Sequence, residues 1–230
     1  FYCLVSALTI KANGQDSLWK IQTTDYHGTY YGATVANGGI GILPWKEPFS
    51  IRHVMLNHVF DSATPQDVSR VLRGINPFNL QMQINGQTVN GDNISRWEQC
   101  IDMKEATHNT HFTCDGKADV SYSICALRNL PYAGLVRVEV VALGDMYLTV
   151  SNPIEIPDEY KNIGSKLVNV NVNGNDIKIV RTWALSKYRE QKVSASSAFI
   201  YDKNSSVQQQ YNGSGQISIS LKKGEKFFFT

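Results

Sequence analysis

The sequence predicts an all-β fold, a large antiparallel super-sandwich with few short helices. Apolar residues alternate with polar ones in several segments, as on strands with one buried face. Turn signals recur roughly every ten residues, which is typical of a sandwich. The alternating apolar sets are Val120, Tyr122, Ile124 and Ala126; Val136, Val138 and Val140; and Ile217, Ile219 and Leu221.

Turn and helix signals complete the expected element pattern. Asn85-Gly86 between apolar flanks predicts a hairpin, and the Asn173 to Asp176 stretch predicts a second tight turn. Helical signals are confined to Thr64–Asp67 and Pro157–Lys161, where a proline would start a short turn of helix. Two polar stretches, Asp202–Ser206 and Gln208–Gly215, are expected to be loops.

Length and charge exclude several classes of function. The chain has 230 residues and a formal net charge of +2, so one domain over residues 15–230 is expected. Acidic and basic residues are mixed along the chain, so no nucleic-acid partner is expected. No apolar run reaches the roughly twenty residues that a membrane-spanning helix needs, so no membrane partner is expected either.

The first ten residues, FYCLVSALTI, are uncharged and mostly apolar. They resemble the apolar core of a signal peptide, and Ala12-Asn13-Gly14 then supplies small residues for cleavage before Gln15. Residues 1–14 are therefore expected to be the remainder of a signal peptide on an exported, periplasmic or extracellular protein. The alternative is an ordinary N-terminal strand that pairs with the sheet.

The three cysteines after the predicted leader are Cys100, Cys114 and Cys125. We expect them to be buried small hydrophobic residues, and a Cys100–Cys114 bridge across a hairpin is the alternative. At the other end, Lys222 to Thr230 predicts a turn followed by an apolar strand that has just begun. We expect a longer polypeptide to continue from it, and a terminal edge strand is the alternative.

Most motifs of enzymatic or metal chemistry are missing or incomplete. Gly38-Gly39-Ile40-Gly41 lacks the third glycine and the following helix of a nucleotide-binding turn, so a glycine-rich β-turn is expected. His108 and His111 are three apart, and on a strand this spacing directs them to opposite faces. No carboxylate pair stands out as a glycosidase motif. No metal, cofactor or catalytic residue is therefore predicted.

Two loops carry the aromatic, planar and charged side chains that bind sugars. The predicted substrate-binding residues are Trp45, Arg73, Asn76 and Phe78, within a group that also includes Phe49, Arg52 and Arg70. The stretch from Arg73 to Phe78 contains both glycine and proline, which predicts a rigid loop. Alternatively, the aromatics pack into the edge of the sandwich and the arginines tie strands together.

The segment from Asn37 to Gly41 resembles the Asn-Gly-x-x-Gly turn that opens the N-terminal β-sandwich of glycoside hydrolase family 65. Trp19 to Ile21 fits the lead-in strand of that domain, and Gly224-Glu225 fits the start of a later strand. The resemblance covers about Leu18 to Thr230. Leu43 to Lys46 departs from the phosphorylase members, so both hydrolysis and phosphorolysis stay open.

The resemblance implies a galactose mutarotase-like sandwich that precedes a catalytic (α/α)₆ barrel and braces it. The complete enzyme would act on an α-linked glucose disaccharide or oligosaccharide such as kojibiose, maltose or trehalose, without a cofactor. The partners implied are the protein's own barrel and a second copy in a homodimer. The alternatives are an autonomous secreted carbohydrate-binding or adhesion sandwich and a structural protein of the envelope.

Overall fold

The structure is a computed structural model that describes residues 18–62, 64, 66, 68–172, 174–202, 206–211 and 214–230. Within these ranges it contains strands and turns but no helix, which confirms the all-β class and corrects the expectation of a few short helices. The strands are β1 (Lys20–Thr23), β2 (Val35–Ala36), β3 (Ile40–Pro44), β4 (Ile51–Asp61), β5 (Arg70–Arg73), β6 (Gln81–Ile84), β7 (Gln87–Thr88), β8 (Ile94–Asp102), β9 (Thr107–Cys114), β10 (Ala118–Ala126), β11 (Gly134–Ala142), β12 (Met146–Asn152), β13 (Tyr160–Val172), β14 (Asn175–Ser186), β15 (Lys192–Ser197), β16 (Gln208–Tyr211), β17 (Gly215–Leu221) and β18 (Lys226–Phe229).

The strands form four antiparallel sheets. The largest has six strands in the order β1-β8-β9-β10-β11-β18, and a second has five in the order β16-β17-β12-β6-β7. A four-stranded sheet has the order β2-β3-β4-β5, and a three-stranded sheet has the order β13-β14-β15. Neighbours in the middle of the six-stranded sheet are also neighbours in sequence, as expected of antiparallel strands joined by short turns.

One hydrophobic core joins the three larger sheets. The alternation predicted in β10 is confirmed, because Val120, Tyr122, Ile124 and Ala126 are buried on its inner face. Burial of Val120 or Ile124 contributes about 1.5–3 kcal/mol relative to an exposed position. The opposite sides of the core come from the five- and four-stranded sheets, including Met82, Leu148, Ile217, Ile42, Ile51 and Val54.

A second, smaller core lies between the four-stranded and three-stranded sheets. Leu72 and Ile75 pack there with Tyr160, Ala184 and Val193. The three-stranded sheet therefore contacts the rest of the molecule through β14, β15 and the start of β13. The far end of the β13–β14 hairpin is largely exposed.

The predicted turns form where the sequence places them. Asn85 and Gly86, both with positive φ, connect β6 to β7, and Gly174, at φ +79°, lies in the turn between β13 and β14. The Asn37 turn connects β2 to β3, and the Asn37 Oδ1 accepts hydrogen bonds from the backbone N–H of Gly39 and Ile40, both at 2.9 Å. This local bonding confirms the glycine-rich β-turn.

Two local expectations were wrong. Pro157 to Lys161 is not helical: the Tyr160 N–H donates to the Pro157 carbonyl in a turn, and Tyr160 then begins β13. The Gln208–Gly215 stretch is not a loop throughout, because Gln208–Tyr211 pairs with β17 as strand β16. In both cases pairing with the next strand along the chain outweighs local propensity. Parts of Thr64–Asp67 and of Asp202–Ser206, and all of residues 1–14, lie outside the described residues.

The three described cysteines are free thiols. Cys114 is buried as expected, whereas Cys100 and Cys125 are only half-buried, so the expectation of three buried thiols was correct for one. Cys100 faces Asn109 and Cys114 faces Ile94 across the β8–β9 pair, so the two are not opposite each other. Within the described ranges, no helix is long and apolar enough to span a membrane.

Candidate functional site

Arg73, one of the predicted sugar-binding residues, is held by a carboxylate. At the end of β5 its Nε and Nη2 donate to the two carboxylate oxygens of Glu159, at 2.7 and 2.6 Å. Glu159 precedes β13, so the pair links the four-stranded and three-stranded sheets. The hydrogen bonds from Arg73 lower the pKa of Glu159 despite its partial burial. The carbonyl of Arg73 also accepts a hydrogen bond from the Tyr160 hydroxyl.

Asn76 is buried, with 2% of its surface exposed. Its amide Nδ2 donates to the Ile51 carbonyl at 2.9 Å, and its Oδ1 accepts from the Phe78 N–H at 3.1 Å. Its backbone pairs in both directions with Glu155. These contacts tie the Arg73–Phe78 segment to neighbouring backbone, and they engage the Asn76 amide within the fold.

Phe78 packs half-buried against the main core. It lies where two clefts meet, one of about 240 Å³ beneath the three-stranded sheet and one of about 540 Å³ beside β15. Gly134 contacts the Phe78 ring so closely that a side chain there would collide with it. Phe78 therefore borders open space, although most of its contacts are with the core.

Trp45 lies in a separate place, at the turn after β3. Its half-buried ring meets Tyr30 edge-to-face at 4.9 Å, and the Arg52 guanidinium lies 4.3 Å from the ring centre. The Trp45 carbonyl accepts a hydrogen bond from Gln99 Nε2 at 2.9 Å. The structure thus brings Arg73 and Asn76 to the segment from Glu155 to Tyr160, whereas Trp45 is grouped with Tyr30 and Arg52.

A buried polar group beneath Trp45 was missed by the sequence reasoning. The Tyr30 hydroxyl donates to Gln99 Oε1 at 2.7 Å and lies 3.5 Å from His108 Nε2. Burial raises the pKa of Tyr30 to about 12 and lowers the pKa of His108 to about 4. Both groups are therefore neutral at pH 7, as buried groups without a charged partner must be. The position of His108 on the inward face of β9 was the only signal in the sequence.

A polar groove on the outer face of the six-stranded sheet was also missed. This outer-face groove has a volume of about 320 Å³. Its described side chains come from β8 to β11 and from β18, and they are Glu98, Cys100, Asn109, His111, Ser121, Ser123, Arg137, Glu139 and Phe228. The signal in the sequence was the polar half of the β10 alternation, Ser121 and Ser123.

The carboxylates of the outer-face groove are too far apart for glycoside hydrolysis. Glu98 on β8 faces His111 on β9, which faces Ser121 on β10, which in turn faces Glu139 on β11. Three strand spacings separate the two acids, or roughly 14 Å. Glycosidases hold their two carboxyl groups about 5–9.5 Å apart. The groove can bind a ligand, but these two acids do not form a catalytic pair.

The described residues contain no group of three or more His, Cys, Asp or Glu side chains that could hold a metal ion. His111 is engaged with Asp119, Nε2 to Oδ1 at 3.2 Å, and Asp119 also accepts a hydrogen bond from Thr113 Oγ1 at 2.9 Å. The position of the His111 side chain is therefore explained by hydrogen bonding within the sheet.

The described part of the chain is a multi-sheet β structure without a helix. It carries a polar groove in which Glu98 and Glu139 lie too far apart to form a catalytic carboxylate pair. Two curated relatives are named as kojibiose hydrolases. The chain is 29% identical over 191 residues to a kojibiose hydrolase of Flavobacterium johnsoniae, which covers 83% of this chain and 28% of the relative. It is 29% identical over 204 residues to a kojibiose hydrolase of Mucilaginibacter mallensis, which covers 88% of this chain and 30% of the relative.

These matches confirm the resemblance to glycoside hydrolase family 65, and the chain spans less than a third of the length of the relatives it matches. No protein-family model matches the chain. Among solved structures, a putative kojibiose phosphorylase from the human microbiome matches with a TM-score of 0.62 at 9% identity, covering 92% of this chain and 31% of that chain. At this identity the match concerns the fold alone.

Proposed function

We propose that this chain is the non-catalytic N-terminal β-domain of an exported enzyme that acts on α-glucosides such as kojibiose. The proposal is supported by the fact that most of this chain matches only a small part of each relative. Two kojibiose hydrolases match 83% and 88% of this chain with only 28% and 30% of their own length. The remainder of those relatives is long enough to contain the catalytic barrel that the resemblance implies.

In this proposal the β-domain braces a helical (α/α)₆ barrel, which carries the catalytic carboxylates. The rigid Arg73–Phe78 segment suits such a role, because its hydrogen bonds and the Arg73–Glu159 pair fix it to two sheets. Trp45 and Phe78 are the predicted residues best placed to reach a sugar or the barrel. Both rings are only half-buried, whereas Asn76 is enclosed.

Hydrolysis and phosphorolysis both remain within the proposal. The sequence relatives are named as hydrolases, and the structural neighbour is named as a putative phosphorylase. Release of free glucose without phosphate, against formation of glucose 1-phosphate in its presence, distinguishes the two reactions. A homodimer is part of the same proposal, and light scattering on the complete protein tests it.

Export is proposed from the apolar FYCLVSALTI segment and the small residues that follow it. N-terminal sequencing of the protein purified from its native host is the test. We expect the mature chain to begin at Gln15. An intact leader on protein from the cytoplasmic fraction would overturn the export proposal and leave the enzymatic one standing.

A second candidate function is an autonomous carbohydrate-binding or adhesion domain, which the polar outer-face groove favours. The gene separates the two candidates. We expect its reading frame to continue beyond Thr230 for several hundred codons that show the helical period of a barrel. A stop codon shortly after Thr230 would favour the binding domain.

A further inference from the structure

We propose that the outer-face groove is a sugar-binding site that takes a glucoside of one or two rings, separate from any catalytic centre in the barrel. That the sugar is an α-glucoside rests on the proposed function. That the ligand is a sugar rests on the side chains alone. The floor of the groove, its walls and the aromatic ring at its border each contribute to this inference.

The floor is low because the central strand carries small residues. Ser121 and Ser123 are two apart on β10, so both point away from the core. The facing residues on both neighbouring strands are longer: Asn109 and His111 on β9, and Arg137 and Glu139 on β11. A serine floor between longer polar walls makes a groove along β10 that is lined with hydroxyl groups.

The walls offer hydrogen-bonding capacity that the fold does not use. Arg137 is exposed and makes no ion pair within the described ranges, and Glu98 has no ion-pair partner there either. The Asn109 amide Nδ2 donates to Thr107 Oγ1 at 3.1 Å, which leaves its Oδ1 to accept. Arginine, carboxylate and amide side chains are planar groups with paired donors or acceptors, and they match adjacent hydroxyl groups on a pyranose ring.

An exposed aromatic ring borders the groove on the β18 side, beyond the β11 wall. Phe228 faces Glu139 across the β11–β18 pair, and 46% of its surface is exposed. Its neighbours in the chain, Phe227 and Phe229, point inward and are buried. A phenyl face beside planar polar groups is suited to the apolar C–H face of a sugar ring, which would bury the exposed carbon surface on binding.

Size and charge favour a small neutral ligand. A volume of about 320 Å³ lies at the small end of ligand pockets, which span roughly 300–1,000 Å³. The groove has one arginine against two glutamates, and Glu139 is paired with Lys226 at 2.9 Å. This balance does not attract a polyanion.

The test is titration of the isotope-labelled chain with kojibiose, followed by NMR. We expect saturable shifts at the backbone amides of β9, β10 and β11 with a dissociation constant in the millimolar range. Phe228→Ala and Arg137→Ala should each weaken binding about tenfold, which corresponds to one lost contact of about 1.4 kcal/mol. Two matched controls, Tyr147→Ala on the five-stranded sheet and Arg181→Ala on the three-stranded sheet, should leave binding unchanged.

Three results of the kojibiose titration would overturn the proposal. They are the absence of saturable shifts, shifts that map to another surface, and variants of Phe228 and Arg137 that bind as tightly as the natural chain. Glycerol is the ligand control, and equal shifts with glycerol would contradict recognition of a sugar ring. Hydrolysis by the complete enzyme is measured separately. If this chain binds kojibiose but the complete enzyme is inactive, the proposed function is wrong and the sugar site stands. If the complete enzyme is active but kojibiose does not bind to the outer-face groove, the sugar site is wrong and the proposed function stands.

Discussion

Arg73 and Glu159 form a two-pronged ion pair that joins two sheets over a sequence separation of 86 residues. The Nε and Nη2 atoms of Arg73 each bind one carboxylate oxygen, which is the strongest geometry for such a pair. Beside it, the Tyr160 hydroxyl donates to the Arg73 carbonyl. These contacts fasten the start of β13 to the end of β5, and they agree with the alternative interpretation of the sequence, in which the arginines tie strands together.

We predict that Arg73→Ala and Glu159→Ala destabilise the chain by similar amounts and that their effects are not additive. The side chains are 37% and 28% exposed, so solvent screening reduces the pair to about 0.5–1.5 kcal/mol of coupling free energy. Chemical denaturation of the two single variants and the double variant measures the coupling in a double-mutant cycle.

Arg181→Ala is the matched control for Arg73, because Arg181 is exposed and makes no ion pair within the described ranges. It should change the free energy of unfolding by less than about 0.5 kcal/mol. Fully additive effects of Arg73→Ala and Glu159→Ala would show that the pair contributes nothing to stability.

We predict that Asp61 makes stability depend on pH below about pH 4. Burial alone would raise the pKa of Asp61, but hydrogen bonds from the Ser186 hydroxyl and from three backbone N–H groups outweigh it and lower the pKa. A carboxyl whose pKa is lower in the folded state contributes stability above its unfolded value, and loses it as the pH falls through the folded value. The donating backbone groups are Ser62, Tyr188 and Arg189.

Asp61→Asn should therefore cost about 1–3 kcal/mol at pH 7 and flatten the acid limb of the stability curve. Denaturation at a series of pH values from 2.5 to 7 measures both effects, and Asp115→Asn is the control because Asp115 is exposed. An acid limb as steep in Asp61→Asn as in the natural chain would contradict the assignment.

We predict that His108 makes stability depend on pH at higher values than Asp61 does. Burial lowers the pKa of His108 from 6.5 to about 4. Between pH 4 and pH 6.5, His108 is therefore protonated in the unfolded chain and neutral in the folded chain. Stability should fall as the pH decreases from about 6.5 to about 4, by up to roughly 3 kcal/mol, at 1.36 kcal/mol for each pKa unit. His108→Phe should remove this slope. His58→Asn should keep it, because His58 is exposed and its positive φ suits asparagine.

We predict that the half-buried ring of Trp45 contacts a ligand in the longer protein. Trp45→Ala should lower kcat/KM about fivefold to a hundredfold, because one stacking contact is worth roughly 1–3 kcal/mol. Paired kinetics and thermal unfolding measure the effect, with exposed Trp19→Ala as the control. Unchanged kinetics with a large drop in melting temperature would show that Trp45 serves only the packing with Tyr30 and Arg52.

The sequence predicted individual strands and turns better than it predicted which residues of different strands contact each other. Alternation of Val120, Tyr122 and Ile124 identified the buried face of β10, because side-chain direction in a strand depends only on position. The meeting of Arg73 with Glu159 depends on the packing of two sheets, which no local pattern reports. Likewise, Ser121 and Ser123 were visible as a polar face, but the groove appears only when β9 and β11 are known to lie beside them.

The most direct test of the central claim is the release of glucose from kojibiose by two purified proteins, this chain from Gln15 to Thr230 and the complete product of its gene. The account predicts that the complete protein cleaves kojibiose, with or without phosphate as the acceptor, and that this chain alone gives no turnover above the buffer. Cleavage by this chain alone would contradict a non-catalytic β-domain, and a complete protein inactive on kojibiose, maltose and trehalose would contradict the proposed enzyme.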